Sequence, residues 1–110
     1  MIRHLIRFEA HGHEPYIARF YWIDVGRNLF GQFQLMVNYG RIGTPGQVRH
    51  FIFDDFKELS AKLQQTLKKR LTAERRIGCC YRLIATSLDR AHPLFVYLQP
   101  FLDSSQEFNS

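Results

Sequence analysis

Alternating apolar and polar residues divide the first half of the chain into four predicted strands, over residues 1–10, 16–25, 32–39 and 47–53. Successive strand residues point to opposite faces of a sheet, so a period of two indicates a strand with one buried face. The third run is the most regular, because its odd-numbered positions from Phe33 to Tyr39 are apolar or aromatic. Short connections between the runs predict an antiparallel meander.

The second run is rich in β-branched and aromatic residues, which favours a central strand. Phe20 and Trp22 share one face of this strand, and both are expected in the core. Asp24 lies on the same face, where it is able to pair with an arginine. The sequence therefore predicts one strongly apolar strand that carries a single carboxylate.

The period changes after the fourth run. Apolar residues now recur at spacings of three or four, at Phe56, Leu59, Leu63, Leu67 and Leu71. This stripe predicts an amphipathic helix of roughly twenty residues. Asp55 with Glu58 forms a capping-box pattern at its start, and Gly78 is placed to end it. With a last strand over residues 80–85, the fold class is α+β: an antiparallel sheet of about four to five strands with one long helix packed on it.

The length of the chain predicts one domain. A chain of 110 residues, 45% of them hydrophobic, builds one core of ordinary size. We assign residues 1–102 to this domain and residues 103–110 to a polar, flexible tail. Residues 93–102 are apolar and contain two prolines. Two interpretations of this segment are open: it covers a sheet edge, or it presents a surface to a partner.

The charge balance points to an acidic partner. A net charge of +5 and an isoelectric point near 9.6 suit nucleic acid or an anionic protein surface. The candidate phosphate contacts are Arg27, Arg49, Lys68, Lys69, Arg70, Arg75 and Arg76. Most of them lie near the C-terminal end of the predicted helix, and the alternative is that they form only a solvated helix face.

Other classes of function find little support in the sequence. The adjacent Cys79 and Cys80 lack the spacing of a zinc site, and His11-Gly12-His13 is too short a cluster for a metal. No stretch approaches the ~20 apolar residues of a membrane span, and the N-terminal residues lack the pattern of a signal peptide. We expect a cytoplasmic protein without membrane contact, cofactor, metal or small-molecule substrate. No catalytic residue set has a supporting motif, so we expect no enzyme.

The turn between the third and fourth runs is the most informative segment. Tyr39-Gly40-Arg41 places an aromatic ring beside a guanidinium on a tight, glycine-rich turn, which suits contact with a nucleic-acid end. By strand parity Tyr39 lies on the apolar face, so burial and ligand contact are both open for it. The glycines most simply permit positive φ values or a close backbone approach. Arg41 is expected to face solvent.

This turn resembles the WGR domain family, whose name spells Trp-Gly-Arg, with Tyr39 in the tryptophan position. The resemblance covers about residues 19–81. It rests on the segments Arg19-Phe20-Tyr21, Phe30-Gly31-Gln32-Phe33-Gln34-Leu35, Tyr39-Gly40-Arg41-Ile42-Gly43-Thr44-Pro45-Gly46-Gln47 and a basic helix closing at Gly78. The family's closing Lys-Gly-Tyr pattern is matched only loosely, by Gly78-Cys79-Cys80-Tyr81.

The resemblance implies an antiparallel sheet with one helix packed across it. In eukaryotic poly(ADP-ribose) polymerases the similar domain helps to bind broken DNA ends and relays that binding to a catalytic domain, for which this chain has no room. It is similar instead to short bacterial proteins made of little more than a WGR domain. In the similar DNA-binding domains the aromatic residue packs on the terminal sugar and the arginine lies at the interface, which implies these roles for Tyr39 and Arg41.

Resemblance and charge together predict a non-catalytic nucleic-acid-binding module for the DNA backbone or DNA ends. The predicted contacts are Tyr39, Gly40, Arg41, Gln47, Arg49, Lys68, Lys69, Arg75 and Arg76. The alternative is a protein-interaction or regulatory module, in which residues 93–102 dock to a protein partner or to a second copy of the chain in a homodimer.

Overall fold

The computed structural model describes residues 3–13, 16–73 and 78–102. The elements are β1 (Arg3–His13), β2 (Tyr16–Arg27), β3 (Phe33–Arg41), β4 (Gln47–Phe53), α1 (Phe56–Leu71), β5 (Tyr81–Thr86) and a 3₁₀-helix (Pro93–Leu98). The strands form one five-stranded sheet in the order β4-β3-β2-β1-β5, and every neighbouring pair is antiparallel. The predicted antiparallel sheet with a helix packed on it is confirmed, and the first four strands form the predicted meander.

The observed strands are mostly longer than the predicted ones. β1 reaches His13 and β2 reaches Arg27, whereas β4 matches its predicted bounds at both ends. β5 starts one residue later than predicted and pairs with β1, with a register shift between Arg7 and Phe8. Backbone hydrogen bonds between strands continue over residues that no longer alternate between apolar and polar. The apolar pattern therefore does not show where a strand ends.

The helix is shorter than predicted. It begins at the expected place, because the Asp55 carboxylate accepts a hydrogen bond from the Glu58 amide at 2.8 Å. It ends after 16 residues, with Thr72 as its C-cap, so Gly78 does not terminate it. Leu71, the last member of the apolar stripe, is 39% exposed. The apolar stripe of the sequence therefore extends one residue, Leu71, past the last stripe residue that is buried, Leu67.

The core lies between one face of the sheet and a layer formed by α1 and the C-terminal segment. Its largest fully buried side chains are Ile6, Phe8, Ile23, Leu35, Leu59, Leu63, Leu67, Leu94 and Leu98. In the C-terminal segment, Phe101 is also buried and lies 4.6 Å from Phe8, measured between ring centroids. The apolar segment over residues 93–102 therefore covers a face of the sheet rather than its edge.

No helix of the described residues covers the opposite face of the sheet, and this corrects the expectation for Trp22. This side chain is 41% exposed, whereas Phe20, beside it, is buried. Arg7 places its guanidinium 4.8 Å from the centre of the Trp22 ring and donates to Asp24 at 2.9 Å. The expected pairing of Asp24 with an arginine is confirmed. Strand parity correctly predicted that Trp22 and Asp24 share one face of the sheet. The helix α1 packs on the other face, so Trp22 is not covered by it.

Candidate nucleic-acid interface

A basic cleft of about 220 Å³ opens between the C-terminal half of α1 and the β3–β4 side of the sheet. Its cationic residues are Arg49, Lys62, Lys69 and Arg70. Its aromatic residues are Tyr21, Tyr39 and Phe51. No carboxylate lines the cleft in the described part of the chain, so its electrostatic potential favours an anion.

Helix periodicity places the lysines on the same side of α1. Lys62 and Lys69 are seven residues apart, or about two turns, and Thr66 lies between them on the same side. The other wall comes from β4, where Arg49 and Phe51 alternate with the exposed Val48 and therefore face the helix. The two walls belong to consecutive elements whose basic residues meet only when α1 folds back over the sheet.

Aromatic rings form the floor of the basic cleft. Tyr21 is buried, and its ring stacks on that of Tyr39, with centroids 5.7 Å apart and an interplanar angle of 28°. The Arg70 guanidinium lies 4.0 Å above the Tyr21 ring and 5.6 Å from that of Tyr81. Burial raises the pKa of Tyr21 above its ordinary value, although the positive charge of Arg70 acts in the opposite direction. The Tyr21 hydroxyl is therefore a neutral group at physiological pH.

Tyr39 combines the two roles that the sequence left open. Its ring packs on the core through Tyr21, and one side of it lines the cleft. Its hydroxyl donates to the Gln47 side chain at 3.0 Å, directly across the β3–β4 pair. This hydrogen bond orients Tyr39 at the strand end, so the motif's aromatic residue is held in place before any ligand binds.

Two cations of the cleft, Lys62 and Arg49, lie at its outer side. Lys62 places its ammonium 4.5 Å from the centre of the Phe51 ring. Within the described residues, neither Lys62 nor Arg49 forms an ion pair with a carboxylate. An anionic ligand that contacts Lys62 or Arg49 therefore breaks no salt bridge within the described residues.

Hydrogen bonds from Thr44 close the glycine-rich turn. Thr44 donates to the Arg41 carbonyl from its amide at 3.1 Å and from its hydroxyl at 2.7 Å. Gly46 has a φ of +74°, and a Cβ there would lie 2.6 Å from the ring of Phe20. A Cβ on Gly40 would lie 2.8 Å from the Gly46 Cα. Gly40 is thus required for a close backbone approach, and the turn projects the exposed Arg41 side chain into solvent.

Three of the predicted contacts, Tyr39, Arg49 and Lys69, line the basic cleft, and Gln47 binds Tyr39. Arg41 follows Tyr39 by two residues on β3, but its side chain is exposed at the turn and does not line the cleft. Lys68 is exposed, but helix phase turns it about 100° away from Lys69, and it is not part of the lining. The predicted contacts Arg75 and Arg76 lie outside the described residues.

Arg27 is far from the basic cleft. It lies at the other end of β2, six residues from Tyr21, which lines the cleft. At ~3.4 Å per residue this separation is roughly 20 Å. The candidate phosphate contacts of the sequence are therefore divided between two ends of the molecule.

Sequence reasoning did not assign several of the cleft's lining residues to a site, among them Lys62, Tyr21 and Phe51. Lys62 was detectable, since its spacing of seven residues from Lys69 puts both on one side of a helix. Tyr21 was not, because its contact with Tyr39 depends on the register of β2 against β3.

A family model for the WGR domain matches residues 6–74, which is more than half of the chain. The chain belongs to the WGR domain family. The match starts within β1 and ends just after α1, whereas the sequence motifs had indicated residues 19–81. No curated protein and no solved structure matches this chain. WGR domains are nucleic-acid-binding modules in proteins like the poly(ADP-ribose) polymerases.

Two further features of this WGR domain bear on its chemistry. Across residues 3–13, 16–73 and 78–102, no group of three or more His, Cys, Asp or Glu side chains is arranged to hold a metal ion. The described helices also lack the combination of length and apolar character that a membrane span requires.

Proposed function

We propose that this WGR domain is a non-catalytic module that binds the backbone or the ends of DNA in its basic cleft. The observation that carries this proposal is the convergence of four cationic side chains on one cleft beside the Tyr39 ring, without a carboxylate among the lining residues. Family membership supports the same class of ligand. A cytoplasmic location remains the expectation from the sequence.

The size of the basic cleft favours a phosphate and its sugar over a larger ligand. Drug-sized ligands occupy pockets of about 300–1,000 Å³, and the basic cleft measures about 220 Å³. Arginine and lysine side chains neutralise phosphates, and an aromatic ring provides a surface for a sugar or a base. A cleft of this size suits one sugar-phosphate unit of a polymer.

Arg41 gives the proposed binding surface a direction. It lies two residues beyond Tyr39 on β3, or about 6.8 Å along the strand. A DNA backbone that leaves the cleft along β3 therefore reaches Arg41 next. We therefore place the DNA backbone along a line from Lys62 through Tyr39 to the turn.

Fluorescence anisotropy with labelled duplexes tests the proposal. The duplexes carry or lack a 5′-phosphate, and a closed dumbbell of the same sequence removes the ends. We expect binding at least as tight as the ~10⁻⁴ to 10⁻⁶ M of non-specific DNA binding at physiological salt. Tighter binding of the open duplex than of the dumbbell would assign the cleft to ends. Lack of binding at ~100 μM protein in low salt would refute the proposal.

The alternative function, a docking module built on residues 93–102, has weaker support. Leu94, Leu98 and Phe101 are buried in the chain's own core, and Val96 is the large apolar side chain of this segment that stays exposed, at 63%. A partner that docks to the segment would meet its exposed residues, Pro93, Val96, Gln99 and Pro100, and none of these buried side chains. Size-exclusion chromatography with light scattering tests whether a homodimer forms.

A further inference from the structure

A second, apolar cleft of about 560 Å³ lies at the other end of α1 from the basic cleft. Three elements form its walls. The sheet contributes Val25 and Phe33, the first turn of the helix contributes Phe56 and Leu59, and the 3₁₀-helix contributes Leu94. The lining residues of the two clefts do not overlap.

The volume of the apolar cleft suits a small organic ligand. An apolar cavity of about 150 Å³ is enough to bind benzene, and ligand pockets in proteins usually measure about 300–1,000 Å³. The apolar cleft falls within this range. Its walls combine the aromatic rings of Phe33 and Phe56, which contact each other with centroids 5.7 Å apart. Such walls favour a hydrocarbon body, because apolar surface leaves water when the ligand binds.

The polar groups at the rim are cationic or hydrogen-bond donors. The exposed Arg27 lies with its guanidinium 4.4 Å from the centre of the Phe33 ring. The imidazoles of His4 and His92 are in contact, with centroids 4.6 Å apart. His92 accepts a hydrogen bond from the Leu94 amide through Nδ1 at 3.1 Å, so in its neutral form the proton is on Nε2.

The rim is therefore complementary to a negative charge. No carboxylate lines the apolar cleft in the described residues, and no described carboxylate forms an ion pair with Arg27. The planar guanidinium of an arginine binds a carboxylate through two parallel hydrogen bonds. The side chain is placed by its contact with Phe33, at the boundary between the apolar wall and solvent.

We propose that the apolar cleft binds an amphipathic carboxylate, an organic acid with a medium-length aliphatic chain or an aromatic ring system as its body. The hydrocarbon body lies between Phe33, Phe56 and Leu59, and the carboxylate pairs with Arg27 at the rim. The imidazoles of His4 and His92 face the same end of the ligand. This site is separate from the basic cleft, since the two clefts share no lining residue.

Isothermal titration calorimetry with the full chain tests the proposal. The probes are decanoate and 2-naphthoate, each compared with its uncharged counterpart, decan-1-ol or 2-naphthol. We expect one-to-one binding of at least one carboxylate, about tenfold tighter than the matching alcohol. Aliphatic and aromatic bodies are distinguished by which of the two acids binds more tightly. Equal binding of acid and alcohol, or no saturable binding of either acid, would overturn the proposal.

Two variants test the role of the rim. Arg27→Gln is expected to weaken carboxylate binding about tenfold and to leave binding of the alcohol unchanged. Lys68→Gln, at the other end of α1, removes the same charge as a control and is expected to change neither. Arg27→Gln replaces an exposed side chain, so loss of its contact with Phe33 should lower the melting temperature by no more than a few degrees. If the variant keeps full affinity for the carboxylate, the assignment of Arg27 is wrong. The Arg27→Gln variant should bind DNA as tightly as the native chain. Failure of the carboxylate proposal is therefore distinguishable from failure of the DNA-binding proposal.

Discussion

The guanidinium of Arg70 lies 4.0 Å above the ring of Tyr21, joining the last turn of α1 to the middle of the sheet. The same Tyr21 ring stacks on Tyr39. The helix end and the motif turn are thus connected through a single buried ring. This arrangement fixes the position of the helix cations relative to Tyr39, and the basic cleft depends on it.

Arg70 should contribute to stability as well as to binding. A partly desolvated cation–π contact is worth about 1–2 kcal/mol, so we expect Arg70→Gln to lower the free energy of unfolding by about that amount. For a domain of this size each kcal/mol shifts the melting temperature by roughly 4–8 °C. Thermal unfolding followed by circular dichroism measures this. Arg49→Gln is the control, since this arginine lies on the exposed wall; an equal loss in both variants would contradict the special role of Arg70.

The salt dependence of DNA binding should report the number of phosphates in contact. With four phosphates neutralised by the basic cleft, the slope of log affinity against log salt is expected to be about −3.6. Lys62→Gln should reduce its magnitude by about 0.9, because one contact is lost. Lys68→Gln removes the same charge from the side of α1 that faces away from the cleft. A slope that falls equally in both variants would indicate diffuse attraction to the helix rather than binding in the cleft.

Arg41 should act in binding without acting in folding. Its carbonyl is engaged by Thr44, but its side chain is exposed on the turn. We therefore expect Arg41→Ala to weaken DNA binding severalfold while changing stability by less than about 0.5 kcal/mol, as is usual for surface substitutions. Anisotropy and thermal unfolding of the same preparation provide both readings. A large drop in melting temperature would instead assign Arg41 a structural role.

The turn itself should be intolerant of a side chain at Gly46. Gly46→Ala places a Cβ 2.6 Å from both the Phe20 ring and the Tyr39 carbonyl, at a φ of +74°. Gly43 also has a positive φ, +94°, but no atom lies within 4 Å of its Cβ position. Gly46→Ala and Gly43→Ala both introduce a backbone strain of about 1–3 kcal/mol, and Gly46→Ala adds a steric clash. Urea unfolding should rank Gly46→Ala as clearly less stable; equal losses would contradict this packing of the turn.

The cap of the 3₁₀-helix should be sensitive to acid. Burial lowers the pKa of His92 below its ordinary value of 6.5, and the neighbouring His4 lowers it further, while Asp89 acts in the opposite direction. The folded state therefore binds this proton less readily than the unfolded state, so the stabilisation is present above about pH 6.5 and declines as the pH falls below it. Protonation also removes the Nδ1 acceptor for the Leu94 amide.

Melting temperatures of the native chain and of His92→Asn, measured between pH 7 and pH 5, test this. Asparagine caps through its side-chain oxygen and does not titrate. We expect the variant to lose less stability over this range than the native chain does. Parallel curves would show that other groups cause the acid sensitivity.

Local patterns in the sequence determined most of the elements. Strand β4 was predicted at both ends, and the helix start was visible in Asp55, because alternation and capping involve neighbouring residues only. Parity also placed Tyr39 on the same face as the apolar positions of β3. The end of the helix at Leu71 was not visible, since it depends on where the sheet stops supporting the apolar stripe.

Only the tertiary structure decided what each face of the sheet does. Trp22 is exposed and Tyr21 is buried because one helix covers one face, and a period of two cannot say which face that is. The basic cleft likewise requires Arg49 of β4 and Lys62 of α1 to meet across a fold in the chain. The sequence by itself determined the elements and the family through short-range spacing. The positions of the cleft's charged side chains depend on long-range packing, which local sequence patterns do not predict.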